Sequence, residues 1–318
     1  MSADHDNAAA PPDLAAVVLT VIRGADLRTT AADIGLHLAE LDEAVQAYQA
    51  AGRAALERRA EGEWYGVRIS FLDATFSQKI VVRWVAPALD RLQADGAIRG
   101  WWFSSDRLAW TLWLHRADIT VVDGVLDDLA DDLRIVDWVP TVYEPELAAF
   151  GGFTGLNVVH DLYCADSRGV LDHARRKDVS VDRRQLSIML LDGLFSAARL
   201  DEFERADVFE RVRRLIPDAT TFRKEQPESL RDLMFFPGAR AAEMFAPDGS
   251  LAYAAPWLAA FQAAGSRLAD DEEQGWMNRG RRAILARIVL SHWNRLAFSA
   301  SGQRALADAA ALSRPSRR

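Results

Sequence analysis

From Asp13 to about Arg59, apolar residues recur at steps of three and four: Leu14, Val17, Val18 and Ile22, then Ile34, Leu38 and Leu41, then Val45 and Tyr48. That period predicts a small bundle of amphipathic helices. Thr29 and Thr30 before AADIG read as an N-cap, and GRAALERRAEGE as a charged hinge. The period then changes. WYGVRISF alternates in part and is rich in β-formers, which predicts a strand. KIVVRWVAPALDRLQADG returns to helical spacing, with Val81, Trp84, Val85, Ala88, Leu89 and Leu92 on one face and Gly96 past its end. IRGWWFSS and LAWTLWLH predict two further strands; in the second, Trp110, Leu112 and Leu114 alternate with Thr111, Trp113 and His115. VVDGVLDDLADDL predicts an amphipathic helix and RIVDWVPTVYEPE a last extended segment.

Beyond Gly151 the pattern is mostly helical, through HDLYCADSRGVLDHARR, RRQLSIMLLDGLFSAARL, DEFERADVFERVRRLI and GWMNRGRRAILARIVLSHWNRLAF. The stretch from Phe236 and Pro237 through Gly238 to Pro247 predicts a loop able to face a substrate. Strand, helix, two strands, helix, strand, then helices, is an α+β fold: a mixed sheet with helices, a helix-rich C-terminal half and a short N-terminal helical extension. Residues 1–60 form the extension and 61–318 the main domain.

Composition removes whole classes of function. Lys and Arg total 38 against 46 Asp and Glu, a net charge of -8, which disfavours binding to nucleic-acid phosphates or anionic lipid. The second N-terminal helix, LAELDEAVQAYQ, has three acids and no base, so a helix-turn-helix reading fails. Asp4 and Asp6 near the N-terminus, with no apolar run behind a basic start, give no signal peptide and an expected cytoplasmic location. The longest uncharged stretch, Gly249 to Ser266, contains Pro256, Gln262 and Gly265 and reads as buried rather than membrane-spanning. One cysteine, Cys164, excludes an intramolecular disulfide framework and a multi-cysteine cluster; it reads as a small buried hydrophobe. Six scattered histidines show no metal-ligand spacing, so no metal site is expected. GxSxG, HExxH, GxxxxGK and a GxGxxG after a strand are all absent. The unusual feature is ten tryptophans beside five tyrosines.

Four segments appear in a telling order: VAPALDRLQADGAIRGWWFSS, WTLWLH, YEPELAAFGGFTGLNVVHDLYCADS and ARIVLSHWNRL. Together they resemble the elimination-domain superfamily of lanthipeptide dehydratases and thiopeptide biosynthesis proteins. The Gly-Gly element is the most specific, because Tyr143, Pro145, Glu146, Gly151, Gly152, Asp161, Asp166 and Ser167 fall in order; Asn294, Arg295 and Leu296 match the last motif. The departures cluster at the cationic positions. Two arginines expected on the second strand fall on Thr111 and Trp113, or on Trp113 and His115; a third falls on Ala149; Phe150 replaces a tyrosine, and Leu290 a histidine. In the dehydratases those groups are thought to hold a leaving glutamate carboxylate, with the histidine assisting. Removing the partner of a buried carboxylate costs on the order of 3–5 kcal/mol, so glutamate elimination is not expected.

The resemblance therefore implies the family's other activity, that of the stand-alone pyridine synthases. These join two dehydroalanines of a ribosomal precursor peptide by formal aza-cycloaddition, then lose water and leader peptide to give a pyridine macrocycle. No cofactor is implied. The implied partners are a dehydrated, azole-containing precursor and its leader, together with other enzymes of the pathway. Residues 61–318 become the catalytic domain, and the N-terminal helices a leader-docking element. Candidate proton carriers are Glu146, Asp161, Tyr163, His115 and His292. Ser70, Ser167 and Asn294 are candidate hydrogen-bonding groups, with Arg295 beside them as a binding residue or a brace of the fold. Trp101, Trp102, Trp113 and Trp293 are candidate walls for flat azoles, although strand alternation lets only about half of the cluster at 101, 102, 110 and 113 face one cleft. Two alternatives stay open: a glutamate-eliminating lyase with a rearranged cation set drawn from Arg83, Arg107 or Arg116, and a non-catalytic leader-binding scaffold.

Overall fold

The computed structural model describes residues 13–105, 109–177, 179, 181–217 and 238–312. The chain divides into two compact units, Met1–Ala60 and Glu61–Arg318.

The first unit is helical: α1 (Leu14–Ile22), α2 (Leu27–Ile34) and α3 (Leu38–Gly62), the last reaching the unit boundary. Val18, Ala31, Leu41 and Val45 form its core. Asp26, and not Thr29 or Thr30, caps α2: its Oδ1 accepts from the Thr29 backbone N–H and hydroxyl, both at 2.8 Å. The two threonines lie inside the first turns. The expected hinge at GRAALERRAEGE is helix as far as Gly62, because alanine, glutamate and arginine are strong helix formers and no proline or N-cap interrupts them; Glu63 lies in a turn.

The second unit is built on a four-stranded sheet of β1 (Trp64–Ser70), β2 (Gly100–Ser105), β3 (Ala109–His115) and β4 (Asp137–Thr141), in the order β2-β3-β1-β4. All three pairings are antiparallel, so the α+β fold stands but the sheet is not mixed. The helical segment after β1 runs as α4 (Ala74–Ile80), a five-residue π-helical turn at Val81–Val85, and α5 (Ala86–Ala94). A single regular helix fails there because Pro87 has no N–H to donate into the turn before it. α6 (Ile119–Asp131) leads into β4, and beyond β4 the described residues are mostly helical: α7 (Phe153–Arg175), α8 (Arg183–Ala197), α9 (Glu202–Leu215), α10 (Gly238–Phe245), α11 (Ala255–Glu273), α12 (Arg281–Arg295) and α13 (Ala300–Leu312). Most of the region expected as a substrate-facing loop is therefore α10; Phe236 and Pro237 lie outside the described residues. Among the described residues no helix is long and apolar enough to cross a membrane.

Alternation sorts the sheet into two faces. Val67, Ile69, Phe103, Leu112 and Leu114 point into the core with at most 1% exposure, and Trp101 joins them. On the opposite face Trp102 pairs with Trp113, and Trp113 with Gly66. A Cβ at Gly66 would lie 2.4 Å from the Trp113 ring, so glycine is what lets that indole lie across β1. A second glycine requirement sits at the start of α7, where Gly151 and Gly152 have φ of 80° and 97°, values that L side chains rarely adopt. This reversal aims α7 across the Trp102 face of the sheet.

Candidate active-site cleft

A cleft of about 440 Å³ opens between that sheet face, the segment from Val142 to Phe150, and helices α7 and α12. Its size and mainly apolar wall suit a small-molecule or peptide segment. Trp102 and Trp113 form one wall, with ring centroids 5.6 Å apart, and Tyr143 meets the Trp113 ring edge-on at 5.0 Å. From α7, Leu156, His160 and Tyr163 line the cleft; their spacing of four and three residues places them on one helical face. From α12 come Ser291, Asn294 and Arg295. Glu144, Glu146, Ser104 and Ser105 complete the polar part.

Two polar systems are buried here. In the first, the Tyr143 hydroxyl and His160 Nε2 share a hydrogen bond. Burial, with help from the nearby His115 and against a smaller opposite pull from Glu63, drops the His160 pKa to about 3, so the imidazole is neutral. Burial also pushes the Tyr143 phenol well above its ordinary 10, and the charges of Tyr163 and Glu146 add to this. Tyr163 is likewise raised by burial, and its hydroxyl donates to Ser291 Oγ at 2.8 Å.

The second system surrounds Asp166, which is 1% exposed. Its Oδ1 accepts from His292 Nδ1 at 2.8 Å and from Trp257 Nε1 at 3.0 Å, and its Oδ2 accepts from Arg295 Nη1 at 3.0 Å. Burial pushes this carboxyl up, but His292 and Arg295 outweigh it and hold the pKa below the ordinary value. Arg295 also donates from Nε to the Phe103 carbonyl at 3.0 Å, tying α12 to β2, and its guanidinium lies 3.9 Å from the Tyr163 ring centroid. His292 Nε2 lies 3.0 Å from Ser187 Oγ, which also accepts from Trp293 Nε1 at 3.0 Å. Each member has partners, as a buried network requires.

Residues 64–313 match the lantibiotic biosynthesis dehydratase C-terminal family. The chain belongs to that family. No curated protein matches it. Solved structures with the same fold include the tRNA-dependent lantibiotic dehydratase MibB from Microbispora sp. 107891, at TM-score 0.57 and 15% identity over 79% of this chain. The match spans 28% of that much longer dehydratase. TsrL aligns at TM-score 0.52 and 16% identity, covering 80% of this chain and 99% of its own. The pyridine synthase TbtD from thiomuracin biosynthesis aligns at 0.51 and 12%, covering 79% and 98%.

Against this cleft, the sequence candidates separate. Tyr163, Glu146, Trp102, Trp113, Asn294 and Arg295 line it. Glu146 is paired there with Arg287 Nη1 at 3.0 Å, not with Arg295. Asp161 does not line the cleft: one residue past His160, it is turned off that face of α7, is exposed and pairs with Arg267 at 2.6 Å. His115 stacks on Trp64 at 4.8 Å and faces Glu63 at 3.5 Å, off the cleft. His292, Ser167 and Trp293 have no exposure, and Ser167 Oγ accepts from the Phe103 N–H at 3.1 Å. Ser70 lies at the end of β1, away from the cleft, where its carbonyl accepts from Val136. Trp101 points into the core on the other sheet face. Of the rearranged cation set, Arg116 pairs with Glu63 and Arg83 lies beside Trp84, neither lining the cleft, and Arg107 falls outside the described residues.

The pair that sequence reasoning missed is Tyr143 and His160. The signal was present, because His160 precedes Tyr163 by three residues and Ser167 by seven, one helical stripe, whereas Asp161 is rotated off it by about 100°. Among the described residues no group of three His, Cys, Asp or Glu is arranged to hold a metal ion.

Proposed function

We propose that the chain is a cytoplasmic thiopeptide-type biosynthetic enzyme. It joins two dehydroalanines of a dehydrated, azole-containing precursor by formal aza-cycloaddition and releases water and the leader peptide. The observation that carries this reading is the charge of the cleft. Among the described residues that line it the one guanidinium, Arg295, is already engaged by the Asp166 carboxylate and the Phe103 carbonyl, while Glu144 adds negative charge and Glu146 is paired with Arg287. A leaving glutamate carboxylate would meet the Glu144 carboxylate and, among the described lining residues, no spare cation, which disfavours elimination. A neutral, flat substrate meets two indoles and two tyrosines, where each ring contact contributes about 0.5–1.5 kcal/mol beyond area burial. The near-complete coverage of TsrL and TbtD agrees with this reading.

The reaction asks three things of the protein. It must hold an amide as its imidic-acid form, bring two alkenes together and carry protons as water and then amide depart. Orientation in a closed cleft can supply about 7–11 kcal/mol of the barrier. Tyr143, His160, Tyr163, Ser291 and Glu146 are the polar hydrogens and lone pairs at hand. Asp166, His292 and Ser187 hold α12 in place and do not touch the substrate. The N-terminal helical unit docks the leader in this scheme. Incubation with a bis-dehydroalanine, azole-containing precursor is expected to give a pyridine product and free leader by mass spectrometry. Unchanged precursor with folded protein would refute the assignment.

A further inference from the structure

We infer that the cleft grips one secondary amide of its substrate by both edges: Tyr143, oriented by His160, accepts the amide N–H, while Ser291 and Asn294 donate to the amide oxygen. The inference deepens the pyridine-synthase reading and rests on it for the reaction that follows, but it is carried by the direction of the hydrogen bonds.

A phenol has one proton. Tyr143 and His160 Nε2 share one hydrogen bond; of the two neutral groups the phenol O–H is the stronger donor, so we assign the proton of that bond to Tyr143 and the Nδ1–H tautomer to His160, which leaves only lone pairs on the phenol oxygen for anything in the cleft. This side of the cleft is an acceptor. Helix α12 is arranged the other way. Ser291 Oγ already accepts the Tyr163 hydroxyl at 2.8 Å, which leaves its own proton to point outward. Asn294 Oδ1 accepts from Gln303 Nε2 at 2.8 Å, which fixes the orientation of its amide and makes the NH₂ group the part that can donate to a ligand. Ser291 and Asn294 are three residues apart, on one helical face, and both line the cleft. The Trp102 ring borders both systems, 6.3 Å from the Tyr143 ring and 5.2 Å from that of Tyr163.

An acceptor on one side and donors on the other match a group that carries N–H and C=O on opposite edges. A secondary amide does. A carboxylate offers lone pairs on both edges and would be repelled by the Tyr143 oxygen; an ester lacks the N–H. Held in this way, the amide is polarised from nitrogen towards oxygen, the direction of the imidic-acid form that the proposed cycloaddition uses.

The test is a pair of synthetic probes, a thiazolyl dehydroalanine peptide and its isostere in which the dehydroalanine amide N–H is replaced by an ester oxygen. Affinities are read by quenching of tryptophan fluorescence. Wild type is expected to bind the amide about tenfold more tightly than the ester. In Tyr143→Phe the two probes should bind equally, and in His160→Phe the ratio should shrink, because the freed phenol proton can then turn towards the ester. Thermal melts check folding, and if Tyr143→Phe does not fold, the ratio in His160→Phe decides. Equal affinities in wild type, binding of neither probe, or a wild-type ratio kept in the folded variants would overturn the inference. The two readings fail separately: an amide preference without pyridine formation removes the reaction and keeps the grip, and pyridine formation with equal affinities does the reverse.

Discussion

His160 and Asp166 lie six residues apart on the same long helix, both buried, and the protein uses them in opposite ways. Asp166 is saturated: a histidine, an arginine and a tryptophan all point at its two oxygens, and nothing is left for a ligand. His160 is hydrogen-bonded to Tyr143, and both residues line a cleft. A satisfied buried network braces the fold, whereas a partly engaged one at a cleft wall is available for chemistry. The residues in the most recognisable motifs, Asp166, Ser167 and the Asn-Arg-Leu stretch, fall mainly on the bracing side.

The contrast breaks most visibly at Asp166. Asp166→Leu strands a buried guanidinium, and guanidinium-chloride unfolding should show a loss of about 3–5 kcal/mol. A loss below about 1 kcal/mol would mean the network does not hold α12. Tyr143→Phe should behave in the reverse manner, with stability changed by no more than about 1.5 kcal/mol and turnover of the proposed peptide substrate reduced about a hundredfold in single-turnover assays.

Acid sharpens the comparison further. Unfolded, His160 titrates near its ordinary 6.5; folded, near 3. Between those values the unfolded chain holds more protons, so the stability associated with a neutral His160 is complete above 6.5 and is lost as pH falls towards 3. From pH 6.5 to 5, wild type should lose about 2 kcal/mol relative to His160→Gln, measured as the difference between their denaturation curves at each pH. The smallest effect belongs to Asp161. It is exposed and paired with an exposed Arg267, so Asp161→Asn should shift stability by less than about 0.5 kcal/mol and leave turnover within twofold. A large loss of turnover there would show that the cleft extends around α7.

Much of this was legible in the sequence. The period-2 and period-3.6 stretches point to the four strands and most helices, and alternation says that only about half of the tryptophan cluster can share a face; the register that pairs Trp102 with Trp113 and turns Trp101 away is visible only in the structure. Alanine-rich α13 was missed because its buried stripe is Ala305, Ala307, Ala309 and Ala310 around a single Leu306, too weak an apolar contrast to register as a period. Motif order carries no depth, so it makes His292 a candidate proton carrier: position along α12 does not say that Ser187, from another helix, closes over its ring. Residue type alone favours the acidic Asp161 over His160, whereas helical phase favours the histidine.

The central claim is that the cleft serves a neutral azole peptide and not a carboxylate leaving group. The most direct test offers folded protein, in one mixture, both a bis-dehydroalanine azole precursor with its leader and a glutamylated serine peptide, with products read by mass spectrometry. The account predicts a pyridine and free leader from the first, and no change in the second. Dehydroalanine formed from the glutamylated peptide, with the precursor untouched, would contradict it.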